Sequence, residues 1–151
     1  MKSSSKLVLS AVALAAAAFA QTSYADEGVA YNVGAVTEYR YRGLGQTHGR
    51  PALQGGVDYD SGKGYYIGTW ASTINWINDY STYNNDIEGS VEWDIYGGYK
   101  FDLAGDTLDV GFLRYQYQSN GLAKTDSGTT WKNPNTNEFY AAYTKGVVTA
   151  K

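Results

Sequence analysis

Residues 87–101, Ile-Glu-Gly-Ser-Val-Glu-Trp-Asp-Ile-Tyr-Gly-Gly-Tyr-Lys-Phe, alternate with the two-residue period of a β-strand. One face carries Ile87, Val91, Trp93, Ile95, Tyr99 and Phe101, and the other carries Glu88, Ser90, Glu92 and Asp94. A sheet in water alternates too, because one face packs on a core and the other is wet. Length separates the two cases. The run of 15 residues exceeds the roughly 5–6 of an ordinary strand and covers the roughly 9–11 that a tilted strand needs to cross a bilayer. The pattern predicts a strand that is apolar toward lipid and charged toward an interior.

The first 25 residues have the form of a secretory signal peptide. Lys2 and Lys6 supply the positive start, residues 7–20 the apolar stretch, and Ser23-Tyr24-Ala25 a small-x-small site before Asp26. Processing before Asp26 is expected, with a cut after Ala18-Phe19-Ala20 or an uncleaved anchor as the alternatives. The stretch is shorter than the roughly 20 residues of a spanning helix. No later run reaches the roughly 18 apolar residues of such a helix, so any membrane crossing falls to strands.

Two of the 12 Lys and Arg lie in the leader, which leaves 10 against 15 acidic residues. That balance opposes nucleic-acid binding, which calls for a basic surface. With 0 Cys, stability has to come from backbone pairing and packing, and thiolate nucleophiles and metal ligands are excluded. The 15 Tyr, 4 Trp and 18 Gly suit strands with aromatic belts.

Six strands are predicted, at 29–42, 52–59, 65–74, 87–101, 107–117 and 138–147, bounded by Gly, Asn, Asp or Ser. In the first, Tyr31, Val33, Ala35, Thr37, Tyr39 and Tyr41 oppose Asn32, Glu38, Arg40 and Arg42. In the second, Leu53, Val57 and Tyr59 oppose Gln54 and Asp58. In the fifth, apolar residues fall on both faces, and a bulge near Gly111 is expected to switch the phase. The connections alternate: 43–50, 75–86 and 118–136 are long and polar, and 60–64 and 102–106 are short. Outer-membrane barrels show this asymmetry, with short periplasmic turns and longer extracellular loops.

The expected fold is therefore all-β, an antiparallel up-and-down transmembrane β-barrel over residues 26–151 with no second domain. Single-chain bacterial barrels begin at about eight strands. Six imply a fragment of a larger barrel or one piece of an oligomeric one.

Four segments carry a resemblance: Tyr39-Arg40-Tyr41-Arg42-Gly43-Leu44-Gly45-Gln46-Thr47, Pro51-Ala52-Leu53-Gln54-Gly55-Gly56-Val57-Asp58-Tyr59, Gly68-Thr69-Trp70-Ala71-Ser72 and Glu92-Trp93-Asp94-Ile95-Tyr96-Gly97-Gly98-Tyr99. Over most of residues 29–143 the chain resembles the TorF-type porins of Gram-negative outer membranes. The resemblance implies an exported outer-membrane channel. It brings no catalytic residues, and the chain departs from the pattern by stopping before the closing strand.

If the strand faces are as read, Glu38, Arg40, Arg42, Glu88, Glu92 and Asp94 line one interior and bias permeating ions. The alternatives are that these charges pair and plug the barrel, or that two acids serve hydrolysis, for which no supporting motif exists. His48, the only histidine, is read as an exposed loop residue without the partners that a triad or metal site needs. Segment 75–86 mixes aromatics with Asn and Asp. It is read as an exposed loop, with sugar stacking or calcium as alternatives lacking motif spacing. Gly43, Gly45, Gly55 and Gly56 precede no helix and are read as turn and close-packing glycines.

The reading that follows is a porin, a transporter and not an enzyme, with outer-membrane lipid and small polar solutes or ions as partners and no cofactor. A non-conducting adhesive barrel and a soluble lipocalin-like carrier are the competing readings.

Overall fold

The computed structural model describes residues 27–80, 89–118, 120 and 133–151. The leader, Glu88, half of the 75–86 connection and most of the 118–136 connection fall outside the described residues. The elements in order are β1 (Gly28–Val36), β2 (Arg40–Tyr41), β3 (Leu44–Gly45), β4 (Ala52–Asp60), β5 (Tyr65–Thr73), α1 (Trp76–Tyr80), β6 (Val91–Leu103), β7 (Asp106–Tyr117), β8 (Thr136–Lys145) and β9 (Val148–Ala150).

The chain is all-β. One antiparallel sheet runs β1-β4-β5-β6-β7-β8-β9, and β2-β3 is a separate hairpin. Each long strand pairs with the next in the chain, which makes the sheet an up-and-down meander. Among the described residues the sheet is open, with β1 and β9 at its edges.

Antiparallel partners share a face, so the register carries one inward–outward choice across the sheet. The row Gly56, Trp70, Asp94, Tyr115 and Thr136 points one way, and the adjacent row Val57, Thr69, Ile95, Arg114 and Asn137 points the other. Hydrogen bonds between strands that are not neighbours show which face is concave. The Tyr96 hydroxyl on β6 donates to Asp58 on β4 at 2.5 Å, and that of Tyr66 on β5 donates to Asp109 on β7 at 2.7 Å. The sheet is curled around the polar face.

Glycines make room for that curl. A Cβ on Gly68 would overlap the Tyr96 ring, one on Gly98 would strike the Tyr66 hydroxyl, and one on Gly111 would overlap the Tyr140 ring. Each bare backbone is the floor on which a tyrosine from another strand lies.

The structure corrects four sequence expectations. The first strand ends at Val36 and not at Arg42, because Arg42 (φ 48°) and Gly43 (φ 84°) form the two-residue turn of the β2-β3 hairpin. Positive φ at both central residues is what a type I′ turn requires. Tyr39 is thereby turned inward. β7 has no bulge at Gly111, since its pairing with β6 is continuous from Leu103↔Asp106 to Glu92↔Tyr117. The last strand ends at Lys145, and a turn at 146–147 returns the chain as β9. The start of 75–86 is the helical turn α1 and not an exposed loop, with Ile77 fully buried against Gly89.

The small apolar core lies at the long-connection end. Tyr39, Ala52, Ile74 and Ile77 form its centre, with Val36, Trp70, Trp76 and Tyr117 packed around them.

Gly111→Ala tests the tyrosine floor. In an ordinary strand the exchange stabilises by about 0.5–1 kcal/mol, whereas here it is expected to destabilise by about 1–3 kcal/mol through overpacking. Denaturant unfolding followed by tryptophan fluorescence reads the sign, and in a Tyr140→Ala background the penalty should disappear.

Candidate functional site

Every second residue of the paired strands contributes to the concave face. At the short-turn end, the Lys100 ammonium lies 3.6 Å from the Asp60 carboxylate and 5.0 Å from the Tyr66 ring centroid. The Tyr66 hydroxyl also meets that of Tyr140 on β8. Midway, Tyr96 reaches Asp58. At the long-connection end the Tyr39 hydroxyl donates to Glu92 Oε1 at 3.0 Å, and the Tyr41 and Tyr115 hydroxyls bond at 2.8 Å. The result is a ladder of tyrosine hydroxyls and carboxylates.

Glu92 and Asp94 are each 1% exposed, and Asp94 Oδ1 has no hydrogen-bond partner among the described residues. Asp58, Asp109 and Glu138 share their face, where Lys100 is the one lysine that a described strand contributes; Lys145 of β8 lies on the other face, beside Asp106. The concave wall is acidic.

The structure places five of the six candidate residues; Glu88 lies outside the described residues. Glu92 and Asp94 are together on the inward face of β6. Glu38 is partly buried and takes Arg40 Nε at 2.7 Å, while Arg40 itself is exposed. Arg42, also exposed, reaches Glu138 on β8 at 3.2 Å. The strand-one charges therefore pair with each other and with β8, and none of them pairs with Glu92 or Asp94. The sequence reading missed the tyrosines that dominate the wall. Their signal was parity, since Tyr96 sits two residues beyond Asp94 on the face already assigned as inward.

His48 has partners after all. Its Nδ1 shares a short hydrogen bond with Asp79 Oδ2, and Arg50 Nη2 reaches Asp79 Oδ1 at 3.2 Å. The backbone N–H groups of Asn75 and Trp76 donate to the Gln46 carbonyl at 2.8 and 3.1 Å. Together these bonds clasp segment 37–51 onto α1 at the mouth of the concavity.

Residues 20–151 match the family described as bacterial protein of unknown function (Gcw_chp). The chain belongs to the Gcw_chp family. No curated protein and no solved structure matches it. Among the described residues no helix is long and apolar enough to cross a membrane, which has no bearing on crossing by strands.

The clasp generates a pH prediction. The His48 hydrogen bond, then the Arg50 charge, holds the Asp79 carboxyl below the usual carboxylate range. A depressed folded pKa contributes stability above the unfolded value, and that contribution is lost as pH falls through the folded one. Acidification below about pH 4, the ordinary aspartate range, should therefore lower the hydrogen-exchange protection of the Asn75 and Trp76 amides, read against the intrinsic rate at each pH. Asp79→Asn should show the lower protection already at neutral pH, with the dependence of protection on acid removed.

Proposed function

We propose that this chain forms the wall of an outer-membrane β-barrel of the TorF porin type, through which small polar solutes or ions pass. The observation that carries the reading is inverted polarity. Val33 and Phe139, on the convex face, are 82% and 85% exposed, whereas Glu92 and Asp94, on the concave face, are 1% exposed. A soluble lipocalin-like carrier would bury the apolar side of its strands. Leaving it in water forgoes about 1.5–3 kcal/mol for each large apolar side chain, and a handful of them equals the roughly 5–15 kcal/mol stability of a whole domain. Hydrocarbon as the solvent of the convex face removes that conflict.

Aromatic residues fit the two interfaces of a bilayer. Tyr99 and Phe101 pack at a tilt with ring centroids 4.7 Å apart near the short turns, as do Tyr59 and Tyr65 at 6.3 Å. Trp93 lies toward the long connections. In lipid, the open edges of β1 and β9 each need a partner strand, because unpaired backbone groups there cost several kcal/mol. Further strands or further copies of the chain complete the barrel. The leader-like residues 1–25 support export to the outer membrane.

A second reading, a non-conducting barrel whose long connections bind ligands outside the cell, draws support from the packing of the concavity. Tyr66 with Tyr140, and Tyr96 with Asp58, reach across the space that a solute would use.

Reconstitution separates the two readings. Both expect the chain to float with lipid vesicles, and Ile67→Arg, in the outward row that holds Phe112 and Phe139, to impair insertion by about 2–4 kcal/mol if the site lies near the midplane. The porin reading expects discrete conductance steps in planar bilayers, with potassium favoured over chloride by the acidic wall. Flotation without conductance would leave the second reading standing and contradict the first.

A further inference from the structure

We propose that Arg114 anchors a binding site for the phosphate of anionic lipid headgroups, on the convex face toward the long connections; the inference rests on the membrane reading above. Arg114 is the outward residue of β7 level with Ile95 on β6 and Asn137 on β8. Toward the short turns the same face continues as Phe112, Val110 and Leu108. Toward the long connections the next outward residue is Gln116, opposite Trp93. The guanidinium therefore stands where the apolar belt gives way to polar side chains.

Its bonding is unlike that of the other arginines. Arg40, Arg42 and Arg50 each bond a carboxylate, whereas Arg114 forms no ion pair among the described residues. Its Nε and Nη2 donate to Gln116 Oε1 at 3.2 and 2.9 Å, and Nη1 donates to Asn137 Oδ1 at 2.9 Å. Both acceptors are neutral amides, which orient the group and leave its charge intact. A guanidinium has five N–H donors, so one remains on each terminal nitrogen. Two donors on a held, uncompensated cation match the oxygens of a phosphate.

The neighbours decide between a free anion and a lipid. Phe112 and Phe139, with ring centroids 5.3 Å apart, adjoin the arginine on its short-turn side. A ligand with phosphate at Arg114 and hydrocarbon over these rings is an amphiphile. The Trp93 indole, bonded to the Thr69 hydroxyl, lies at the level where interfacial tryptophans meet headgroups.

The test uses the full chain in nanodiscs of equimolar phosphatidylglycerol and phosphatidylcholine, with retained lipid counted by native mass spectrometry. Preferential retention of phosphatidylglycerol is expected. Arg114→Gln should weaken it about tenfold, the loss of a charged hydrogen-bonded contact, and Arg114→Lys should weaken it less. Lys63→Gln removes the same charge from the turn between β4 and β5 and should change nothing. An undiminished preference in Arg114→Gln would overturn the inference and leave the membrane reading intact. Loss of the preference to excess inorganic phosphate would show a soluble anion as the ligand and overturn the assignment to headgroups. Failure of the chain to enter nanodiscs would overturn the membrane reading and the inference with it.

Discussion

Antiparallel pairing fixes one parity for the whole sheet. Because Thr69, Ile95 and Arg114 are partners in register, as are Trp70, Asp94 and Tyr115, no strand can choose its inward residues independently. A slip of one residue on β6 would carry Glu92 and Asp94 to the convex side and Trp93 and Ile95 into the concavity. The uninterrupted β6-β7 ladder, twelve pairs from Leu103↔Asp106 to Glu92↔Tyr117, opposes such a slip. The apolar convex face, the acidic concave face and the position of Arg114 at the end of the convex apolar belt all descend from that parity.

The concave side adds a second constraint. It is filled by tyrosines that bring hydroxyls to carboxylates while their rings lie on glycine backbone, as Tyr96 does over Gly68 and toward Asp58. A polar group taken out of water costs little only when it is hydrogen-bonded, and these bonds span strands that are not neighbours. They hold the curvature in place of an apolar core, which is confined to the end where segment 37–51 and α1 meet β6.

How far this was legible in the sequence depended on local chemistry. β6 could be read because its inward residues are charged and its outward ones apolar. β7 could not, since inward Leu113, Tyr115 and Tyr117 look as apolar as outward Leu108, Val110 and Phe112; a buried tyrosine satisfies both descriptions. The first strand was read too long because Tyr39 and Tyr41 continued its alternation through a hairpin whose signal was the Arg42-Gly43 turn. The five residues of α1 are too few to display a helical period. The Arg42–Glu138 pair joins residues 96 apart in the chain, a distance over which no sequence pattern reports. Glu92 and Asp94 were recognisable as inward, but not the tyrosines that surround them.

The central claim is that hydrocarbon is the solvent of the convex face. The direct measurement is electron paramagnetic resonance of single spin labels at Ile67, Phe112 and Phe139, one outward row of the sheet, compared with labels at Asn32 and Tyr96, in the reconstituted chain. Collision with lipid-dissolved oxygen should exceed collision with a water-soluble nickel chelate at the first three sites, and the order should reverse or both should fall at the other two. Greater access of the nickel chelate at Ile67, Phe112 and Phe139 would contradict the account.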